Sequence, residues 1–240
     1  MTLAWLLGAL VMFFASLVLG LAGFGIALVA MAFLPYLMSP VAAIVVLTIY
    51  ALVFSVVALV PLRRDVTPRA LGDLVLGSVA GTPFGVWALA TLPISGLNRL
   101  IGLMLLVAVA LELRGVMPQR LPGRAWGLGA GFLSGLIGGA VGTPGPPVVM
   151  YATTQGWSPR TQKGNVMAFF VVNQAVILAG FWWAGLLTRE TLTLTAAYTL
   201  PALAGVLTGM ALFTRIDPAR FRRLIFALLL VSGLILLVRG

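Results

Sequence analysis

The sequence contains neither cysteine nor histidine, and only five of its 240 residues are acidic. Without cysteine there are no disulfides and no thiol chemistry, and without either residue the usual zinc-type sites are excluded. A membrane-embedded enzyme would need clustered acidic, histidine or cysteine residues, and none is visible. We therefore expect no enzyme activity, no metal and no cofactor.

Charge is also scarce: 8% of residues are charged and 61% are hydrophobic, with a mean hydropathy of +1.14. Soluble domains carry about 25% charged residues, so a soluble fold is excluded. A membrane span needs about 20 apolar residues, and ten apolar segments can be drawn here. No long polar region interrupts them. The sequence predicts an all-α, polytopic protein with a single integral membrane domain.

Glycine and proline interrupt the apolar pattern at two places. Residues 135–147 hold five glycines and three prolines between two apolar runs, and an uninterrupted helix is not expected there. A weaker copy covers residues 20–25, followed by Pro35 and Pro40. Interrupted or re-entrant helices often build the substrate site of secondary transporters. The short segments beside the breaks are predicted either to cross fully or to form re-entrant hairpins.

The two halves of the chain, residues 1–117 and 118–240, read as repeats of five segments each. A shift of 124 residues pairs Gly81 with Gly205, and with slightly different shifts Gly20 pairs with Gly135 and Pro40 with Pro159. An odd number of segments per half predicts that the second repeat is inverted relative to the first. Both breaks are then expected at the centre of the molecule.

The net charge of +10 is best explained by membrane topology. If the ten segments alternate, twelve of the fifteen basic residues fall on one side, which the positive-inside tendency makes cytoplasmic. Both termini are then expected outside the cytoplasm. Nucleic acid binding is not expected, and collection of anionic substrate at the cytoplasmic mouth is a secondary role for these residues.

Backbone at the two breaks is predicted to bind an anion, because free N–H groups and the helix dipole favour negative charge. The alternative is that the glycines only allow tight helix packing, as small residues spaced by four often do. Two adjacent amides in an apolar stretch, Asn173 and Gln174, would contact the ligand or else bond a neighbouring helix. The predicted binding residues are Gly23, Phe24, Gly25, Thr48, Gly139, Gly142, Thr143, Pro144, Gly145, Pro146, Asn173 and Gln174.

These features resemble the TauE/SafE family, the sulfite and organosulfonate exporters. The similarity is carried by Gly-Leu-Ala-Gly-Phe-Gly at residues 20–25, Gly-Phe-Leu-Ser-Gly-Leu-Ile-Gly-Gly at 131–139, Gly-Pro-Pro at 145–147 and Asn173. The first-half cluster departs from the family's closely spaced glycines, because Phe24 separates Gly23 from Gly25.

The resemblance implies secondary export of a small sulfur-containing anion, such as sulfite, sulfoacetate or a related sulfonate, across a bacterial inner membrane. It also implies binding near residues 23–25, residues 139–147 and Asn173. No nucleotide-binding motif is present, as secondary transport requires. Membrane lipid is an expected partner and a homodimer a possible state. The alternatives are a carrier of another small organic anion and a non-transporting scaffold or assembly factor.

Overall fold

A computed structural model describes residues 3–22, 25–114, 123–212 and 218–239. This part of the chain is entirely helical, with ten α-helices and two 3-10 helices, Leu34–Tyr36 and Val60–Asp65. The all-α prediction with about ten segments is confirmed. The helices are α1 Leu3–Ala22, α2 Ile26–Met31, α3 Pro40–Leu59, α4 Pro68–Thr91, α5 Ile94–Arg114, α6 Arg124–Val141, α7 Gly145–Thr153, α8 Pro159–Trp183, α9 Arg189–Leu212 and α10 Pro218–Arg239.

Proline begins four of these helices, α3, α4, α8 and α10. Its fixed φ suits the first helical position, where the N–H would have no intrahelical partner. In α8 the preceding Ser158 also caps the helix, since its hydroxyl oxygen accepts from the Thr161 N–H at 3.2 Å. Helix α8 therefore begins at Pro159, before its apolar stretch.

The interruption in the second half is shorter than the glycine-rich segment suggested. Helix α6 continues through the glycines to Val141, and α7 begins at Gly145, so only three residues separate the two helices. In the first half α1 ends at Ala22, and α2 is a six-residue helix whose N-cap, Gly25, has a φ of 95°. The predicted site residues Gly23 and Phe24 lie outside the described residues.

Within the described ranges, five helices are long and apolar enough to cross a membrane: Pro40–Asp65, Pro68–Thr91, Ile94–Leu111, Pro159–Trp183 and Arg189–Leu212. Shorter apolar helices cover Trp5–Gly20, Ile26–Tyr36 and Leu229–Val238. Large apolar side chains such as Trp87 and Leu200 are exposed, as expected for helices that face lipid rather than water. These features are those of a polytopic membrane protein.

The helices form two compact units, and each unit combines segments from both halves of the sequence. Unit 1 comprises Met1–Leu47, Leu92–Arg114 and Thr188–Gly240, and unit 2 comprises Thr48–Thr91 and Gly115–Leu187. The boundary between them passes through α3. Compact units and sequence repeats are therefore different divisions of this chain.

In unit 2, α4 and α6 run parallel and touch backbone to backbone. Three glycines of α4 are spaced by four residues, and a Cβ at any of them would overlap a carbonyl oxygen of α6. A Cβ at Gly131 or Gly135 of α6 would overlap a carbonyl oxygen of α4 in the same way. The pairs from α4 to α6 are Gly77 with Leu128, Gly81 with Phe132 and Gly85 with Leu136. Because both numbers increase together, the helices are parallel. These glycines therefore allow tight packing between the two helices.

In unit 1, α1 and α9 make the corresponding contact. Gly205 lies against the carbonyl of Phe13, and a Cβ placed on Gly209 would meet Leu17 and lie 3.0 Å from the Cα of Gly20. In unit 2, a Cβ placed on Gly85 would lie 3.0 Å from the Cα of Gly139. Gly20 thus corresponds structurally to Gly139 rather than to Gly135. The two-repeat organisation and the inversion of the second repeat remain predictions.

Two glycines on α6 give a matched test of this packing. Gly131→Ala is expected to lower the melting temperature of the detergent-solubilised protein, since the methyl group would overlap the carbonyl of Leu74; overpacking costs about 1–3 kcal/mol. Gly129→Ala, where a Cβ meets no atom within 4 Å, should be neutral or stabilising by up to about 1 kcal/mol. Equal melting temperatures for the two variants would contradict the backbone contact.

Candidate functional site

Helices α6 and α7 form a hairpin that turns back on itself. Near the turn, the Ser134 hydroxyl of α6 donates to the Pro144 carbonyl oxygen just before α7. Further along α7, the Tyr151 hydroxyl would lie 3.2 Å from a Cβ on Gly127, toward the start of α6. The two helices are therefore antiparallel. At 1.5 Å per residue, the nine residues of α7 extend only about 14 Å, too short for a full span.

The turn of this hairpin consists of Gly142, Thr143 and Pro144. Gly142 has a φ of 74°, a left-handed conformation that glycine adopts without strain, and its N–H donates to the Gly138 carbonyl at 2.9 Å. This bond ends α6. Pro144 then has a φ of −71° and precedes the first turn of α7.

An amide from α8 lies close to the hairpin. Asn173 is 1% exposed, and its Nδ2 donates to the Ser78 hydroxyl oxygen of α4 at 2.5 Å. Asn173 is 14 residues from the start of α8 and 10 from its end, while Ser78 is 10 residues from the start of α4 and 13 from its end. Both residues thus occupy the middle of helices long enough to span a membrane.

Gly138 lies close to both the hairpin turn and Asn173. A methyl group in place of its hydrogen would lie 2.7 Å from Ile177 Cδ1, 3.0 Å from Pro144 Cβ and 3.5 Å from Asn173 Oδ1. Gly138 therefore has no room for a side chain, because the hairpin turn and α8 meet at this position. We call Ser78, Gly138, Thr143, Pro144 and Asn173 the hairpin cluster.

Two oxygen atoms of the hairpin cluster are buried without a partner. Thr143 is 3% exposed, and among the described residues neither its Oγ1 nor the Oδ1 of Asn173 has a hydrogen-bond partner. An unsatisfied buried polar atom costs roughly 1–3 kcal/mol. Such atoms at a helix interruption are typical of a site that a ligand completes.

The first turn of α7 offers fewer hydrogen-bond donors than a usual helix N-terminus. Positions 144, 146 and 147 are proline, which has no N–H, so Gly145 carries the only backbone donor in this stretch. The favourable end of the helix dipole remains. The sequence predicted that several free N–H groups would meet an anion here, but within residues 144–147 only the Gly145 N–H is left.

The structure brings together some of the predicted site residues and separates others. Thr143, Pro144 and Asn173 belong to the hairpin cluster, with Gly142 next to them in the turn. Gly139 lies within α6, and a Cβ placed on it would lie 2.9 Å from the backbone nitrogen of Val86. The space beside Gly139 is therefore filled by helix packing. Gly145 and Pro146 are the first residues of α7 rather than part of the break.

The other predicted residues in the described part of the chain are Gln174, Thr48 and Gly25. Gln174 is 3% exposed and its Oε1 has no partner among the described residues. Thr48 is completely buried in α3. Gly25 belongs to unit 1, and a Cβ placed on it would lie 3.7 Å from Val18 Cγ1.

Sequence reasoning did not identify Ser78 and Ser134. Each is a single serine in an apolar helix, one position from a glycine of the packing series, and such serines are common in helix interfaces. Asn173 was predicted to contact either a ligand or a neighbouring helix. Its Nδ2 bonds to Ser78 on another helix, and its Oδ1 is left without a partner in the described chain.

Charged side chains gather at one end of unit 2. Helix α8 is parallel to α4, since Asn173 pairs with Ser78 and Gly180 packs on Val86 further along both helices. The basic N-terminal turns of α4, α6 and α8 therefore share one end. There Arg124 pairs with Asp73 at 3.1 Å, and Arg160 with Asp65 at 2.8 Å.

The same end carries a backbone link. Asn165 Oδ1 accepts from the Thr67 N–H at 2.7 Å, which joins the start of α4 to α8. This hydrogen bond gives Asn165 a structural role at the charged end of the unit.

The helices and buried polar turn define a multi-pass membrane protein with an interrupted helix of the kind that transporters use. The family model described as Sulfite exporter TauE/SafE matches residues 8–236, and the chain belongs to this family. This membership makes it a membrane transporter of sulfur-containing anions, and not an enzyme. No curated protein matches the chain, and no solved structure does.

Two left-handed glycines separate the stability of the hairpin from its role in transport. Gly142→Ala and Gly156→Ala both place a side chain at positive φ, 74° and 67°, which costs about 1–2 kcal/mol. Gly142→Ala should lower the melting temperature at least as much as Gly156→Ala does, since Gly142 is buried and Gly156 is exposed. We expect only Gly142→Ala to reduce sulfite flux into proteoliposomes, because Gly142 holds Thr143 in place. Similar flux losses in both variants would contradict a site at this turn.

Proposed function

We propose that the protein is a secondary exporter of a small sulfur-containing anion, such as sulfite, sulfoacetate or a related organosulfonate, and that the hairpin cluster binds it. The single observation that carries this proposal is the pair of buried, unpartnered oxygens of Thr143 and Asn173 beside the N-terminus of α7. A ligand would complete their hydrogen bonds. The family gives the general class of substrate.

Binding uses the groups that the hairpin supplies. The Thr143 hydroxyl and the Gly145 N–H donate hydrogen bonds, and the N-terminal end of α7 adds a favourable dipole. Pro144 fixes the backbone between these donors, and the Asn173 amide lies opposite the turn. Gln174 and Gly142 are further candidates beside this site, with Gln174 adjacent to Asn173 in the chain.

Transport follows alternating access in this proposal. The two sequence halves form inverted repeats, and the hairpin cluster opens in turn to each side of the membrane. The shared glycine contacts of α4 with α6 and of α9 with α1 support the repeat. The grouped basic ends of α4, α6 and α8 support a cytoplasmic assignment for that end, with both termini outside. We further propose a bacterial inner-membrane location; a homodimer is compatible with this arrangement.

A flux assay with matched threonine variants tests the site. Thr143→Val should reduce sulfite flux into proteoliposomes by about ten- to a hundredfold at low substrate, since a hydrogen bond to a charged ligand contributes about 1.5–3 kcal/mol. Thr91→Val is the control, because the Thr91 hydroxyl is exposed and donates only to the Trp87 carbonyl of its own helix. Asn173→Ala and Pro144→Ala should also reduce flux while leaving membrane insertion intact.

The assay has two results that count against the proposal. Undiminished flux in Thr143→Val, Asn173→Ala and Pro144→Ala would remove the site from the hairpin cluster. No protein-dependent flux of sulfite, sulfoacetate or methanesulfonate by the wild-type protein would remove the assigned substrate class and favour a non-transporting role.

A further inference from the structure

We propose that the transported species is the singly charged, protonated form of the anion, hydrogen sulfite, and that the proton therefore travels on the ligand. This inference rests on the proposed function and assigns the charge and hydrogen-bonding state of its substrate. Three features of the hairpin cluster lead to it: an unpartnered acceptor, a shortage of donors and the absence of a nearby counter-charge.

The acceptor is Asn173 Oδ1. Since Asn173 Nδ2 already donates to Ser78 at 2.5 Å, the carbonyl oxygen is the part of the amide that faces Gly138. A fully ionised oxyanion has only acceptor oxygens and would be repelled by this atom. A ligand that carries an O–H group can donate to it.

The donors are few, because proline occupies positions 144, 146 and 147. The Thr143 hydroxyl, the Thr143 N–H and the Gly145 N–H remain, along with the dipole of a nine-residue helix. These few donors and one acceptor match an ion of the form HO–SO₂⁻, the hydroxyl tautomer of hydrogen sulfite. Its two charged oxygens accept from the donors, and its hydroxyl donates to Asn173.

Positive charge is distant along each helix that forms the cluster. The nearest basic residues are Arg69, nine residues before Ser78, Arg124, ten before Ser134, and Lys163, ten before Asn173. At 1.5 Å per residue these separations are about 14–15 Å. The cost of taking an ion out of water grows with the square of its charge, so a dianion costs about four times as much as a monoanion. A neutral polar site of this kind selects the monoanion.

Titratable groups on the surrounding helices do not offer a protein proton carrier at the cluster. On α4, α6, α7 and α8 they are Arg69, Asp73, Arg124, Tyr151, Arg160 and Lys163, and all lie toward the charged end of unit 2. Asp73 is five residues before Ser78, about 7 Å along α4, and is paired with Arg124. A proton that crosses with the ligand needs none of these groups.

The rival arrangement is a rotated amide. If the Asn173 side chain turned by 180°, Oδ1 would accept from the Ser78 hydroxyl and Nδ2 would face Gly138 as a donor. The site would then favour a fully ionised oxyanion or a sulfonate, neither of which carries the acidic O–H group of hydrogen sulfite. The two arrangements therefore predict opposite dependences of transport on pH.

The test measures sulfite entry into proteoliposomes that contain the wild-type protein and an internal pH indicator, with flux into protein-free liposomes subtracted. At fixed total sulfite, the initial rate should fall by about tenfold per pH unit above the second ionisation of sulfurous acid, because the hydrogen sulfite fraction falls by that factor. When the interior is buffered above that ionisation, each entering anion should release one proton. Methanesulfonate, which has no O–H group, is the control and should move no proton.

A sulfite rate that stays constant or rises with pH, or sulfite entry without proton release, would overturn this inference while leaving the exporter assignment in place. A complete lack of flux for all the sulfur anions would instead overturn the proposed function.

A variant adds an independent readout. Asn173→Ala should lower the ratio of hydrogen sulfite flux to methanesulfonate flux by about tenfold, since only hydrogen sulfite donates to Oδ1. Thr143→Val should lower both fluxes by similar factors. A ratio that rises or stays the same in Asn173→Ala would assign the amide to the rotated, donating arrangement.

Discussion

Backbone contact between α4 and α6 is the constraint on which the rest of unit 2 depends. Glycine at matching positions removes the side chains that would separate the helices, and carbonyl oxygens of one helix then lie against the Cα atoms of the other. In lipid, where apolar side chains gain little from meeting one another, this close approach is a main source of attraction between helices. It fixes the height of Ser78 on α4 relative to Ser134 on α6. The hairpin turn is built upon that register.

The hairpin turn combines two kinds of residue that usually oppose helix formation. Glycine at position 142 allows the left-handed conformation that ends α6, and the prolines that follow fit the first turn of α7, where their missing N–H groups cost no hydrogen bond. The same prolines reduce the donors available to a ligand. One local sequence therefore shapes the turn and limits which ions the turn can hold.

The helical segments were predictable because apolar runs, prolines and glycines mark them directly, and even the two interruptions were placed in the correct regions. The exact length of the second interruption was not predictable. Gly135 and Gly139 weaken an isolated helix, yet they remain helical because α4 packs on the same face. Single-residue propensity cannot account for a partner helix some fifty residues away in the chain.

The candidate site was predictable in part for a related reason. Thr143, Pro144 and Asn173 were visible from the sequence, since polar and helix-breaking residues are conspicuous in apolar segments. Ser78 and Ser134 were not, because small hydroxyl residues have little effect on the apolar pattern and gain their importance only from contacts across helices. Gly139 showed the converse case, a residue whose type fits a binding loop and whose surroundings assign it to packing.

The interleaving of the two units also bears on how the chain is made. Helix α1 packs on α9, which leaves the ribosome only after α2 to α8 have been synthesised. During most of translation the glycine-lined face of α1 has no permanent neighbour and must be covered by lipid or by the insertion machinery. Unit 2, whose last helix is α8, can be completed earlier. Assembly of this protein is therefore ordered in time, with the unit that carries the hairpin finished before the unit that contains the first helix.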